Sequence, residues 1–247
     1  MKVILGRIAT VIGLLLIWEG ATRSGLADPE FLAPPDDVAR QIVLLASRAD
    51  VQGAYAGVGL ELALAFGFAV VVAVPLGVAL GMSSYLHDVF NPIVVMLFGI
   101  PKITILPVFI LFLGIGPNSK IGFGFVHAVF PIIFTCIAGC HAVDHQLLRA
   151  ALTMGATRWQ LFRHLVVPSI LPWIVMGLRL GMAANLLGVL LAELFVSQKG
   201  VGYFVHQFTS TFRSAETFGM LSTLALFAIA VNELLRATER RFSAWRI

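Results

Sequence analysis

The feature that most constrains this chain is a succession of apolar runs, separated by short polar breaks, each near the length that crosses a bilayer. A helix rises about 1.5 Å per residue, so roughly 20 residues cover a hydrocarbon core of about 30 Å. Six segments meet or approach that length: Val3–Trp18, Tyr55–Met82, Val89–Leu113, Ile121–Cys140, Pro172–Val196 and Phe218–Leu235. Backbone polar groups in lipid must be satisfied inside the protein, and single runs of this length do so as helices. Composition excludes the soluble alternatives. Apolar residues make up 59% and charged residues 12%, about half the usual charged share, and mean hydropathy is +0.93. Too few charges remain to cover a water-soluble globule, and disorder requires the opposite balance. The sequence predicts an all-α polytopic membrane protein with six transmembrane helices and one membrane domain over residues 1–247.

Each segment adds detail. Val3–Trp18 follows Lys2 and contains Arg7, and no small-x-small cleavage site succeeds it, so it reads as a retained anchor. Residues 21–53 are the most polar stretch. Asp28-Pro29 and Ala33-Pro34-Pro35 enforce turns, and Asp36 and Asp37 suit a helix N-terminus. Val38, Ile42 and Leu45 then recur at helical spacing, which predicts an amphipathic helix on the membrane surface. Gly77-x-x-x-Gly81 is a small-residue face for close helix packing. Pro92, Pro101 and Pro107 interrupt the third span and Pro131 the fourth, so the freed backbone there must face protein or a water-filled cavity. Cys136 and Cys140, one turn apart, read as small buried hydrophobes.

The basic residues give an orientation. With both termini inside, Lys2, Arg7, Arg149, Arg158, Arg163, Arg236, Arg240, Arg241 and Arg246 are cytoplasmic, against Arg23, Arg40, Arg48, Lys120, Lys199 and Arg213 outside. The net charge of +4 therefore reflects loop charge rather than nucleic-acid binding, and the four C-terminal arginines form a membrane-edge anchor.

The break from His141 to Ser169 is the most informative stretch. Leu148, Leu152, Gly155, Trp159 and Phe162 follow at steps of three and four and share one helical face. Arg149-Ala150-Ala151-x3-Gly155-x9-Leu165-x-Val167-Pro168 resembles the EAA loop of ATP-binding-cassette importer permeases. The likeness continues through Leu171-Pro172, Gly177-Leu178-Arg179-Leu180, Glu193 and Gly200-Val201-Gly202. Upstream, Trp18-Glu19, Phe31-Leu32-Ala33-Pro34-Pro35, Ile100-Pro101-Lys102 with Leu106-Pro107, and Gly114-Ile115-Gly116-x-x-Ser119-Lys120 are similar to the nitrate/sulfonate/taurine branch. Two departures stand out: Arg149 replaces the motif's glutamate, and Glu61 lies near Gly67-Phe68 where a basic residue is expected.

The resemblance implies the type I importer permease fold, a bacterial inner-membrane location and a homodimer around one pathway. It further implies a coupling loop over residues 141–169 that meets a cytoplasmic ATPase dimer through Ala150, Ala151, Leu152, Gly155, Arg158, Trp159, Phe162 and Pro168. An extracytoplasmic solute-binding protein would deliver a small anion such as a sulfonate, taurine or nitrate. The residues themselves agree on the division of labour. No Gly-x4-Gly-Lys-Ser/Thr phosphate loop is present, and Gly114 to Lys120 has the wrong spacing. ATP and Mg are expected on the partner, no cofactor is expected in this chain, and the chain is not expected to be an enzyme. Ionisable groups inside spans are costly and mark function by default, which selects Lys102, Arg179, Glu61 and Glu193, with Asn185 as a comparable polar group. Two other readings compete. His141 and His145 have a spacing that can bind zinc, as an intramembrane metalloenzyme would need, yet the glutamate of a zinc protease and any Gly-x-Ser-x-Gly are missing. A lone channel or secondary carrier would have no ATPase partner.

Overall fold

The computed structural model describes residues 2–242, with side chains described except at 2–4, 8, 145 and 235–242. Arg236, Arg240, Arg241 and Arg246, expected as a membrane-edge anchor, lie outside these side chains. Among the described residues every regular element is helical: α1 (Lys2–Arg23), α2 (Pro35–Ala46), α3 (Ala49–Met82), α4 (Ser84–Gly99), α5 (Leu106–Leu113), α6 (Pro117–His141), α7 (His145–Thr153), α8 (Arg158–Leu161), α9 (Val167–Val196), α10 (Val201–Ser210) and α11 (Ser214–Phe242). Five runs are long and apolar enough to cross a membrane, and α4 with α5 makes a sixth if that bent pair is one span.

The third predicted span is therefore not straight. It turns by 87° between α4 and α5. Pro101 has no N–H to continue the ladder and pushes the preceding residue out of the helical region; Ile100 sits at φ −67°, ψ 128°. A 3₁₀ turn, Lys102–Ile105, then leads into α5. The fifth predicted span begins earlier than Pro172. A continuous helical run extends back to Arg158 through a wide π turn at Phe162–Val166, where Val167 N–H donates to the Phe162 carbonyl. Widening the turn just before Pro168 relieves the clash its ring would make with a carbonyl four residues back.

The chain divides into two compact units. In Gly59–Ala192, α6 is the central helix. Its Phe123, Ala128, Ile132, Ile133 and Cys136 are all but inaccessible, and Ala69, Ala73 and Leu80 of α3 pack against it. Glycines allow the approach. A Cβ at Gly77 would lie 2.7 Å from Cys136 Cβ and 3.0 Å from the Ile133 carbonyl; one at Gly81 would lie 2.7 Å from Cys140 Cβ. The expected small-residue face thus meets the cysteine pair, which serves as packing. On the other side, Gly181 and Gly188 of α9 face Ile132 and His127, while Gly139 of α6 faces Trp173.

The second unit joins the chain up to Val58 with Glu193–Ala230. Here α2 is not a bare surface helix: Val38 and Leu45 are buried, and a Cβ at Gly219 of α11 would lie 2.9 Å from Gln41 Cβ and 3.3 Å from Leu45. Its apolar stripe is covered by protein. The Tyr55 and Thr223 hydroxyls share a 2.7 Å hydrogen bond, and Trp18 meets Phe218 edge-on.

The glycine seam makes a direct prediction. Gly77→Val drives a branched side chain into backbone and should cost about 1–3 kcal/mol or more, read as a lower thermal midpoint of the detergent-solubilised protein. Gly67→Ala, on the same helix but with nothing within 4 Å of the new Cβ, should leave the midpoint unchanged or raise it.

Candidate functional site

The loop between α6 and α9 is a helix–turn–helix built by its own caps. Asp144 accepts the Gln146 N–H at 2.7 Å to start α7. Thr157 and Gln160 form a reciprocal capping box that starts α8. Between them the chain reverses at Gly155, whose φ of +83° suits glycine and strains other residues. No neighbour crowds this position, so the requirement for glycine is conformational. This corrects the single helical face predicted from Leu148 to Phe162. The turn splits that stripe: Leu148 and Phe162 pack down onto a cluster of Val143, Val166 and Ile170, whereas Leu152 and Trp159 stay outward. Leu147, Leu152, Met154 and Trp159 are 54, 53, 88 and 66% exposed. Ala150 and Arg158 are also exposed, Ala151 is half-buried and Pro168 lies exposed at the root of α9.

The polar groups of the spans fall into separate places. Glu61, Lys120 and Asn185 converge where α3, α6 and α9 meet. Lys120 Nζ lies 2.8 Å from Glu61 Oε1, and both side chains are buried. Asn185, fully buried, donates from Nδ2 to the Leu62 carbonyl at 2.9 Å; Gly124 leaves room for its Oδ1, which a Cβ there would meet at 2.6 Å. Glu61 is thus paired with Lys120, a residue expected in an outer segment. Its signal was present: Pro117 opens a helix, which puts Lys120 in the first turn of a span rather than in a loop.

Lys102 sits at the bend between α4 and α5. Its Nζ lies 4.3 Å from the Phe98 ring centroid and 5.4 Å from that of Phe130, and it donates to the Phe98 carbonyl at 3.4 Å. Arg179 is half-buried on α9. Glu193 is buried and accepts the Gly202 N–H at 3.3 Å, at the N-terminus of α10 where a carboxylate is favoured. Gly200 has φ +144° and a Cβ there would strike the Glu193 carboxylate. Helix α10 itself was missed, although Val201, Phe204 and Phe208 carry its period.

The His141/His145 pair falls partly outside the described side chains. His141 faces His87, with ring centroids 4.9 Å apart, and the side chain of His145 lies outside the described residues. No three metal-ligating side chains cluster among the described residues.

Comparison with known proteins agrees with this architecture. Residues 70–244 match the family model described as binding-protein-dependent transport system inner membrane component. The taurine transport system permease protein TauC of Escherichia coli is 28% identical over 96% of this chain and 88% of its own length. The formylaminopyrimidine transport permease protein ThiX of Halalkalibacterium halodurans is 26% identical over 94% and 92%. The inward-facing MetNI methionine transporter superposes with a TM-score of 0.65 at 19% identity, over 78% of this chain and 94% of that one, which shows the shared fold.

The buried pair yields a stability test. Lys120→Met would strip Glu61 of its cation, a loss that costs about 3–5 kcal/mol at buried sites. The protein should be depleted from the membrane and melt earlier in detergent. Adding Glu61→Gln should recover most of that loss; a double variant no better than Lys120→Met would show that the pair is not coupled. The helical spans, the loop and the family match lead to one statement: the chain belongs to the binding-protein-dependent transport system inner membrane components, as a non-enzymatic permease subunit of an ATP-binding-cassette importer with the type I importer fold.

Proposed function

We propose that two copies of this permease line one path for a small anion, such as a sulfonate, taurine or nitrate, and that residues 141–169 seat each copy on a cytoplasmic ATPase. The observation that carries this reading is the outward row of Leu147, Leu152, Met154 and Trp159 on a loop anchored by Val143, Val166 and Ile170. An exposed apolar row on a capped, rigid support is the form of a docking surface. Ala150, Ala151 and Arg158 flank it, while Phe162 and Pro168 hold its root. ATP and Mg belong to the ATPase, and this chain contributes no cofactor.

Two further supports concern the path. The bend between α4 and α5 buries no residue of α4 or of the 3₁₀ turn within one chain, yet unwound backbone at membrane depth needs protein or water beside it. A second copy and an aqueous path supply both. Lys102 and Arg179 are the cations we assign to the anion; Asn185, Glu61 and Glu193 act from behind, as a hydrogen-bonded junction and a cap. The relatives' names differ in solute, so the anion rests on these charges. The basic-residue bias places both termini inside.

Coupling is tested at the turn. Gly155→Leu or Trp159→Ala should leave the permease inserted while solute-stimulated ATP hydrolysis and uptake fall together, by about 30-fold for a buried interface aromatic worth about 2 kcal/mol. Reporters fused after Ile247 or inserted near Arg158 should both read cytoplasm, as docking requires. Normal transport in the Gly155→Leu variant, or an external reading at Arg158, would sink the assignment. The anion path is tested separately: Lys102→Met and Arg179→Met are expected to abolish uptake but still co-purify with the ATPase. Unchanged uptake in both would remove the anion reading.

A further inference from the structure

The bend between α4 and α5 holds more than a positive charge. Phe98 packs against Phe130 and Phe134, with centroids 5.8 and 5.3 Å away, and the residue is 44% exposed. The Lys102 ammonium rests over two of these rings, and among the described residues no carboxylate pairs with it. Ring faces attract a cation through their quadrupole, most strongly where water is scarce. Among the described residues the one hydrogen bond of Nζ is a long one to the Phe98 carbonyl. Lys102 is thus held weakly, by contacts that any ammonium group can make. A flexible four-carbon stem lets it leave the rings for a stronger partner. An anion reaching the bend is such a partner, because a charge-assisted hydrogen bond outweighs a ring contact.

When Lys102 turns to an anion, the faces of Phe98 and Phe130 are left as a vacant cation seat a few ångströms away. We propose that the bend is a specificity site for a small zwitterion: its anionic group takes Lys102, and its ammonium group replaces Lys102 over Phe98 and Phe130. This rests on the anion reading above and narrows it to amine-bearing anions. The site differs from the Glu61–Lys120 pair, whose cation is committed to a buried carboxylate.

The test uses the complete transporter in proteoliposomes, with one unchanged binding protein throughout, so that any change in selectivity belongs to the permease. The probes are 2-aminoethanesulfonate and ethanesulfonate, and the readout is the ratio of their initial uptake rates. Phe98→Leu and Phe130→Leu are expected to lower the preference for the amine-bearing solute by roughly 3- to 30-fold, the range of one desolvated cation–ring contact. Phe98→Tyr, which keeps the ring face, should restore it. Phe90→Leu, an exposed aromatic further along α4, should leave the ratio at its wild-type value. An unchanged ratio in both leucine variants overturns the zwitterion site while the anion reading stands. Loss of both solutes in both leucine variants, with no rescue by tyrosine, overturns it too, because the rings then only support the helix. If the wild-type transporter takes up neither probe, the sulfonate reading falls and this site falls with it.

Discussion

The larger unit depends on backbone-to-side-chain contact along the two flanks of α6. Lipid is as apolar as leucine, so no hydrophobic drive holds these helices together; close packing and interhelical hydrogen bonds must. Gly77 and Gly81 let α3 come within reach of Cys136 and Cys140, and Gly181 and Gly188 do the same for α9 against Ile132 and His127. Dispersion is short-ranged, so each missing Cβ adds contact over a whole turn.

That closeness makes the polar junction possible. Asn185 donates to the Leu62 carbonyl from Nδ2 while its Oδ1 lies against Gly124, where a Cβ would stand 2.6 Å away. Removing Glu61 and Lys120 from water costs several kcal/mol per ion, offset only when the partner is within direct reach. A separation of 2.8 Å provides this. The same junction fixes the register of α3 against α6, since a slip of one residue on either helix would turn one charge away.

Much of this was legible from residues. Span number, the glycine face and the loop all follow from period, length and turn chemistry. What was not legible depended on contacts between distant segments. The stripe Val38, Ile42 and Leu45 gave an amphipathic helix, but not that protein rather than lipid covers it. Steps of three and four from Leu148 to Phe162 gave helix, but Gly155 at positive φ divided it, and periodicity is blind to a reversal whose spacing stays in phase. Glu61 stood out as a carboxylate where a basic residue was expected, but nothing local names Lys120, far away in sequence, as its partner. Lys102 drew attention by charge alone; its seat is completed by Phe130, which α6 brings from far along the chain.

The wide turn at Phe162–Val166 has a mechanical consequence. Arg158 to Val196 is one helical run of 39 residues, and a helix resists compression and twist far better than a loop. Trp159 and Asn185 therefore lie on one helical run, so torque applied at the exposed end is carried along the helix toward the buried junction. The run has two compliant points, Pro172 inside α9 and the turn where the hydrogen-bond ladder runs a residue out of step, and the turn stands between the exposed lever arm and the packed shaft. Stiffness there sets how much of a small rotation outside becomes displacement within the bundle.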